Sequence, residues 1–184
     1  GGYGGKEIKD LKNYWLPIKT FIGVTKPLGN ELHSVLKKPL GFSDNRRAGN
    51  YYRVLPGNRL SWGRGISAVG KFTPLSLKRA ISKEISYFFP ELRNVEIDYV
   101  WFGNMAYASH YMPYVGSIKI GNEEKNVFTL MGFGGHGMNT APGSAMVLAD
   151  FILGKSSKHE VFNRFRRKWN GGLLGPYIAE MKYK

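Results

Sequence analysis

The chain has 184 residues, of which 27 are lysine or arginine and 13 are aspartate or glutamate, giving a formal net charge of +14. Its 4 Trp, 11 Tyr and 11 Phe supply ample core material for one domain, which excludes an intrinsically disordered tail. The lack of cysteine excludes disulfides, thiolate metal sites and a catalytic thiol, and no apolar run reaches the length of about 18 residues that a membrane-spanning helix needs.

The first residues form a glycine-rich lead-in, for which we set the bounds 1–13. Residues 1–5 read Gly-Gly-Tyr-Gly-Gly and lack the charged start and apolar stretch of a signal peptide. Because the first residue is Gly1 rather than Met, we expect the chain to be a piece of a longer protein. A cysteine-free composition fits a reducing compartment, and we expect a cytoplasmic location.

Strand patterns come next along the chain. Residues 18–28 carry β-branched and aromatic side chains and stop at Pro27, which predicts a strand. Residues 50–55 and 59–63 predict two further strands. A short turn of Pro-Gly-Asn separates them, so they read as a hairpin.

The clearest helix signal begins at Thr73, a residue suited to the N-cap position, followed by Pro74 as the first helical residue. Apolar residues then recur at spacings of three and four until Pro90, namely Leu77, Ala80, Ile81, Ile85 and Phe88. Such a stripe predicts a helix packed on the sheet.

Two more strands are predicted at residues 95–102 and 126–131, with Pro113 and Gly116 marking a connection between them. Residues 145–153 are nearly all apolar and end at Gly154, which predicts a helix buried on most sides. A last, amphipathic helix is predicted from Val161, Phe162, Phe165 and Trp169. The expected fold class is therefore α+β, a mixed and largely antiparallel sheet from residues 18 to 105 with the 74–89 helix packed on it.

The positive charge permits a second hypothesis, a basic nucleic-acid-binding module without catalysis. The densest basic stretch is Arg164, Arg166, Arg167 and Lys168, whereas most lysines are scattered among apolar positions. A lysine-rich solvated surface explains that scatter better, so nucleic acid is the less favoured partner. The four histidines are too dispersed along the sequence to predict a metal site.

The most informative segment is a glycine loop between a predicted strand and a predicted helix. It contains G-x-G-x-x-G at Gly132, Gly134 and Gly137. No second strand carrying an acidic residue follows, as a dinucleotide fold requires, and Pro142 predicts a helix start several residues after the last glycine. The glycines let a ligand approach the backbone at a helix N-terminus, or they permit tight strand-to-helix packing; both readings remain open.

The segment from Met131 to Gly154 resembles the C-terminal flavin loop of the FAD-dependent amino-acid and amine oxidoreductases, the family of D-amino-acid oxidase, glycine oxidase and sarcosine oxidase. Other stretches resemble the same family in the same order, namely residues 25–28, 51–53, 58–63, 101–103 and 112–116. The glycines near the end of the chain, at residues 171–175, look most like the gamma-glutamylputrescine oxidase branch.

This resemblance implies an FAD enzyme that oxidises the C–N bond of an amine or amino acid by hydride transfer to flavin, with no obligatory protein acid or base. The flavin would be lined by Gly132, Gly134, Gly135, His136, Gly137 and Met138, and the substrate would meet Tyr52 and Arg53.

Nothing before Tyr14 resembles the family's fingerprint for the ADP half of FAD, so the chain is expected to be a C-terminal half. Its partner would be the missing N-terminal half, on the same chain or another. Residues 14–110 would form the substrate-binding domain, and residues 111–184 would return to the FAD-binding domain.

Overall fold

The structure is a computed structural model that describes residues 1–4, 8, 11–46, 48–120, 123–163 and 171–183. In chain order its elements are β1 (Leu16–Thr25), α1 (Glu31–Val35), β2 (Gly41–Ser43), β3 (Tyr51–Leu55), β4 (Arg59–Ser67), α2 (Pro74–Phe88), β5 (Ile97–Tyr107), β6 (Tyr114–Ile120), β7 (Glu123–Met131), α3 (Gly137–Ile152), α4 (Glu160–Asn163) and α5 (Gly175–Tyr183). The predicted α+β class is confirmed. None of the helices in the described ranges is long and apolar enough to cross a bilayer.

The chain divides into two compact units, which we name by their contents. The sheet unit comprises residues 19–103 with 183–184, and the loop unit comprises residues 1–18 with 104–182. Strands β1 and β5 contain residues of both units. The domain boundaries expected from the sequence stay a prediction.

In the sheet unit, five strands lie in the order β2-β3-β4-β1-β5, and the pairs β2–β3, β3–β4 and β1–β4 are antiparallel. The predicted hairpin is confirmed, with Gly57 and Asn58 at positive φ in its turn, a conformation suited to tight hairpins. Strand β4 runs on to Ser67, past the predicted end at residue 63. A register shift opposite Thr20 and Phe21 accompanies this extension.

Helix α2 covers one face of this sheet, as predicted. The Thr73 side chain accepts from the Ser76 N–H at 3.1 Å and the Ser76 side chain accepts from the Thr73 N–H, which forms a capping box. Leu77, Ile81 and Ile85 are buried. Phe88, predicted to continue the stripe, lies in the last turn and is 40% exposed, although its ring still contacts Trp62 of β4 with the ring centroids 5.7 Å apart.

In the loop unit, β6 and β7 form an antiparallel hairpin. The prediction that Pro113 and Gly116 mark a connection is wrong, because Gly116 lies within β6. Gly116 adopts φ +135°, pairs with Thr129 and continues the strand, because β6 gains ladder hydrogen bonds and buries Tyr114, Val115 and Ile118. A core cluster surrounds the hairpin: Leu11, Tyr14, Trp15, Ala106, Ala108, Tyr114 and Ile118.

The start of helix α3 differs from the prediction. The helix begins at Gly137, directly after the glycine loop, and Pro142 lies inside it. A proline at the sixth helical position removes one intrahelical hydrogen bond without ending the helix, so it is a poor marker of the start. The end is as predicted. Gly154, at φ +68°, donates to the Phe151 carbonyl, and Lys155 donates to the Asp150 carbonyl.

The predicted burial of α3 on most sides is wrong. Met146, Ile152 and Leu153 are 72%, 52% and 64% exposed, because in the described part of the loop unit α3 packs against β6 and β7 on one side. We call the exposed side, from Met138 to Leu153, the open face of α3. The last predicted helix is described only over Glu160–Asn163. Its Phe165 and Trp169, and the basic stretch at residues 164–168, lie outside the described residues.

Candidate functional site

The glycine loop joins β7 to α3 and has a backbone that few other residues could adopt. Gly132, Gly134 and Gly135 have φ values of +88°, +57° and +90°. An L side chain in that region is strained by its Cβ, so three positions of this loop depend on glycine.

The inner side of the loop is anchored to the end of β5. The Gly134 N–H donates to the Ala106 carbonyl at 2.8 Å, and Phe133 forms a β-bridge with Tyr107. A Cβ on Gly134 would lie 3.3 Å from the Tyr107 ring, and one on Gly135 would lie 3.0 Å from the Met105 sulfur. Burial raises the pKa of the Tyr107 hydroxyl. The inner side is therefore filled by this chain's own side chains.

The outer side of the loop is open. Met138 is 97% exposed and His136 is also exposed. A Cβ on Gly137 would meet only Phe133, at an ordinary 3.8 Å, whereas Gly132 is buried against Tyr114. Of the six residues predicted to line a flavin, the later ones face outward and Gly132 does not.

The loop ends in a helix N-terminus without a side-chain cap. His136 is the N-cap residue of α3 and makes no capping hydrogen bond, and the first intrahelical bond runs from Thr140 N–H to the His136 carbonyl at 3.2 Å. The N–H groups of residues 137–139 therefore lack an intrahelical acceptor, and the helix dipole places partial positive charge beside them. This arrangement can bind an anion or stabilise developing negative charge.

The sheet unit separates the two residues predicted to meet the substrate. Tyr52 lies on the face covered by α2, stacked between Phe42 and Trp62 with ring centroids 5.3 and 4.6 Å away. Burial raises the pKa of its hydroxyl. Arg53 is exposed on the opposite face, because neighbouring side chains of a strand alternate. The structure does not bring Tyr52 and Arg53 together.

Tyr51, and not the predicted Tyr52, lies on the same face of the sheet as Arg53. Its ring lies over Gly63, its partner in β4, where a Cβ would approach a ring carbon to 2.0 Å. Its hydroxyl lies 3.3 Å from Thr20 Oγ1. Alternation along the strand was a sufficient signal for this pairing of Tyr51 with Arg53. The Arg53 guanidinium has no ion pair or hydrogen bond among the residues that the structure describes.

No cluster of three or more His, Asp or Glu side chains suited to a metal ion occurs within the described ranges. His33, for example, hydrogen-bonds to the Asn58 side chain at 3.1 Å.

Comparison with known proteins decides the family. The family model described as DAO, FAD dependent oxidoreductase, matches residues 1–151. The chain belongs to this family. It is 27% identical over 160 residues to the gamma-glutamylputrescine oxidoreductase of Escherichia coli strain K12, an alignment that covers 86% of this chain and 36% of that protein.

Solved structures of two other enzymes share the fold. The glycine oxidase of Geobacillus kaustophilus superposes with a TM-score of 0.61 at 17% identity, covering 86% of this chain and 41% of that one. The L-proline dehydrogenase of P. horikoshii superposes with a TM-score of 0.60 at 22% identity, covering 80% of this chain and 38% of that one. The chain spans 32% to 37% of the length of the curated relatives it matches.

Proposed function

We propose that this chain supplies the flavin loop and a substrate-binding sheet of an enzyme that oxidises the C–N bond of an amine or amino acid. The observation that carries the proposal is the glycine loop, anchored to β5 on its inner side, open on its outer side and followed by an uncapped helix N-terminus. Membership of the FAD-dependent oxidoreductase family supports the assignment of this loop to FAD.

The loop fits an isoalloxazine ring because Gly135 and Gly137 leave backbone accessible on its outer side, beside the exposed side chains of His136 and Met138. FAD, when bound, supplies the hydride acceptor. The N–H groups of residues 137–139 would stabilise the negative charge that a reduced ring carries, through hydrogen bonds and the dipole of α3. His136 and Met138 would flank the ring.

On the sheet unit, Arg53 is the proposed substrate anchor. Its guanidinium presents a planar fork that matches a carboxylate, and it is exposed without an ion pair in the described residues. Tyr51 lies on the same face and restricts the space beside Arg53, since its ring is fixed over Gly63. An amino acid or an amine with a distal carboxylate is the substrate class that these two residues favour.

The ADP half of FAD requires residues beyond this chain, because no strand-turn-helix fingerprint precedes Tyr14. We propose that a nucleotide-binding half, on a longer chain or a partner chain, packs on the open face of α3. A cytoplasmic location stays a prediction.

The test is the visible absorption spectrum. The purified chain should be colourless, whereas a longer form or a complex that carries the dinucleotide fingerprint should bind flavin and oxidise an amine. Gly137→Val should abolish flavin binding in the completed protein. Gly41→Val is the control, because a Cβ at Gly41 meets no atom within 4 Å and Gly41 lies far from the loop in sequence. A stoichiometric flavin in the chain alone, or flavin retained by Gly137→Val, would contradict the proposal.

A further inference from the structure

A groove on the sheet unit is lined by cations and has no part in the flavin or substrate proposals. It has a volume of about 470 Å³ and lies between helix α2 and the segment that leads into β5. Its polar lining comprises Lys78, Arg79, Ser82, Lys83, Ser86 and Asn94. No carboxylate is among the residues that line it.

The wall of the groove is fixed by hydroxyl groups that have already donated their hydrogen bonds. Ser82 Oγ donates to the Val95 carbonyl at 2.7 Å, and Ser86 Oγ donates to the Ser82 carbonyl at 2.9 Å. Ser86 Oγ also accepts from the Asn94 N–H at 3.3 Å. The groove is therefore a formed surface, and its remaining donors are mainly the cationic groups.

The nearby carboxylates are paired with other cations. Asp98 binds Arg59 at 2.6 Å. Glu96 binds Lys26 at 2.5 Å, and Glu84 binds Arg64 at 2.7 Å. These three acids therefore form their ion pairs with cations outside the groove, whereas the exposed Glu91 forms no ion pair among the described residues.

The cations of the groove keep N–H donors available to a ligand. Lys78 Nζ is held by the Asp98 carbonyl at 2.8 Å and keeps two further N–H donors. Arg79 and Lys83 are exposed, and neither has a hydrogen bond or ion pair within the described part of the chain. From Lys78 to Lys83 the helix rises about 7.5 Å, which spreads the charge over more than one anionic group.

These observations favour a ligand of high charge density. A single carboxylate would engage one of the three cations, and an apolar ligand would meet the charged rim. Phosphate groups suit both the guanidinium fork of Arg79 and the ammonium groups of the lysines. We propose that this groove binds a small molecule that carries a di- or triphosphate group.

The experiment is a calorimetric titration of the chain with inorganic triphosphate, with acetate as the monocarboxylate comparison. The double variant Arg79→Gln/Lys83→Gln should bind triphosphate about tenfold more weakly. The matched control is Lys37→Gln/Lys38→Gln, which removes the same charge from exposed positions of the same unit and should leave the affinity unchanged. Circular dichroism checks that each variant folds.

Adenosine triphosphate distinguishes the two sources of the phosphate chemistry. Tighter binding than that of inorganic triphosphate would support a nucleotide ligand, and equal affinity would support a polyphosphate itself. The proposal would be overturned if the chain did not bind triphosphate, or if both double variants bound triphosphate equally weakly. It would also be overturned if acetate bound as tightly as triphosphate. A single-stranded oligonucleotide that binds through these residues while triphosphate does not would overturn it in favour of nucleic acid.

Discussion

Glycines 134 and 137 belong to one loop but meet different surroundings. Gly134 has φ +57°, and a Cβ there would press on the Tyr107 ring at 3.3 Å. Gly137 is helical, without a positive φ, and a Cβ there meets only ordinary contacts. The internal structure of the chain therefore requires glycine at 134 but not at 137.

We expect Gly134→Ala to destabilise the free chain by about 1 to 3 kcal/mol because of backbone strain. Gly137→Ala should leave stability unchanged or raise it by up to about 1 kcal/mol, since alanine is the better helix former. Urea denaturation measures both. In the completed protein, Gly137→Ala should nevertheless weaken flavin binding; normal flavin affinity and reduction potential would make the loop purely structural.

Arg53→Lys should raise KM by about tenfold and change kcat less in the completed enzyme, because lysine cannot form the two parallel hydrogen bonds to a carboxylate. Steady-state kinetics with a carboxylate-bearing substrate measure this. Arg93→Lys is the control, an exposed arginine whose Nε donates to the Pro90 carbonyl. Equal kinetics for both variants would remove Arg53 from the substrate site.

Asp44 links the stability of the sheet unit to acid pH. The Arg46 side chain, then the N–H groups of Asn50 and Arg46, lower the pKa of this carboxyl from 3.8 to about 2. A pKa lowered in the folded state stabilises the protein above the unfolded value, and the contribution disappears as pH falls through the folded value.

Asp44→Asn should therefore cost about 1 kcal/mol or less at neutral pH, given solvent screening, and the cost should vanish between about pH 4 and pH 2. Urea denaturation across that range measures it, with the exposed Glu91→Gln as control. If Asp44→Asn remains destabilising at about pH 2, the destabilisation comes from lost packing or hydrogen bonds and not from the lost charge.

How much the sequence could predict at this scale depended on whether a residue's neighbours are local. Alternation along β3 was enough to separate Tyr52 from Arg53 and to group Tyr51 with Arg53. The contact between Gly134 and Tyr107 joins β5 to the loop after β7 and has no local pattern, so only the structure reveals it.

At the scale of elements, α3 exposes Met138, Met146, Ile152 and Leu153 to solvent. A contiguous apolar surface on a helix marks an interaction site or a cause of self-association. We expect the free chain to self-associate through the open face of α3.

Met146→Lys/Leu153→Lys should weaken that self-association about tenfold, as measured by sedimentation velocity over a range of concentrations. Lysine is nearly as good a helix former as the residues it replaces, so the helix should persist. Leu40→Lys/Val69→Lys, at exposed apolar positions of the sheet unit, is the control. Oligomers that persist equally in both variants would place the contact elsewhere.

Elements with strong local signals were predictable. The cap at Thr73 and the apolar spacing behind it specified α2, and the Pro-Gly-Asn turn specified the β3–β4 hairpin. Strand β6 was missed because Gly116 is a turn signal when read alone, whereas pairing with β7 supplies its hydrogen bonds. The start of α3 was misplaced because Pro142 is tolerated early in the helix.

At the scale of the whole molecule, the net charge of +14 is a destabilising self-repulsion. Added sodium chloride shortens the Debye length to about 10 Å or less, which screens the repulsion between exposed charges that lie farther apart than this. It should therefore stabilise the free chain by about 1 kcal/mol, or roughly 2 to 4 °C in Tm. Thermal melts at several salt concentrations measure the change. A Tm that falls with salt would show that ion pairs such as Arg59–Asp98 outweigh the repulsion.

The fold class could be predicted from composition and pattern, because strand alternation and the helix period each extend over many residues. A single exceptional residue therefore does not hide them. The division into units could not be predicted in this way. Residues 1–18 join residues 104–182 through contacts such as those of Leu11 and Trp15 with Ala106 and Ala108, which are distant in sequence.

The Tyr51 ring lying over Gly63 has a consequence for any attempt to reshape the surface beside Arg53. Randomising Gly63 alone would mostly sample sequences in which the new side chain ejects the tyrosine ring. A library that varies both positions together, with small residues at 51 and larger ones at 63, would move the large side chain from β3 to β4. Positions 51 and 63 together determine the shape of that surface, so a selection should vary them as a pair.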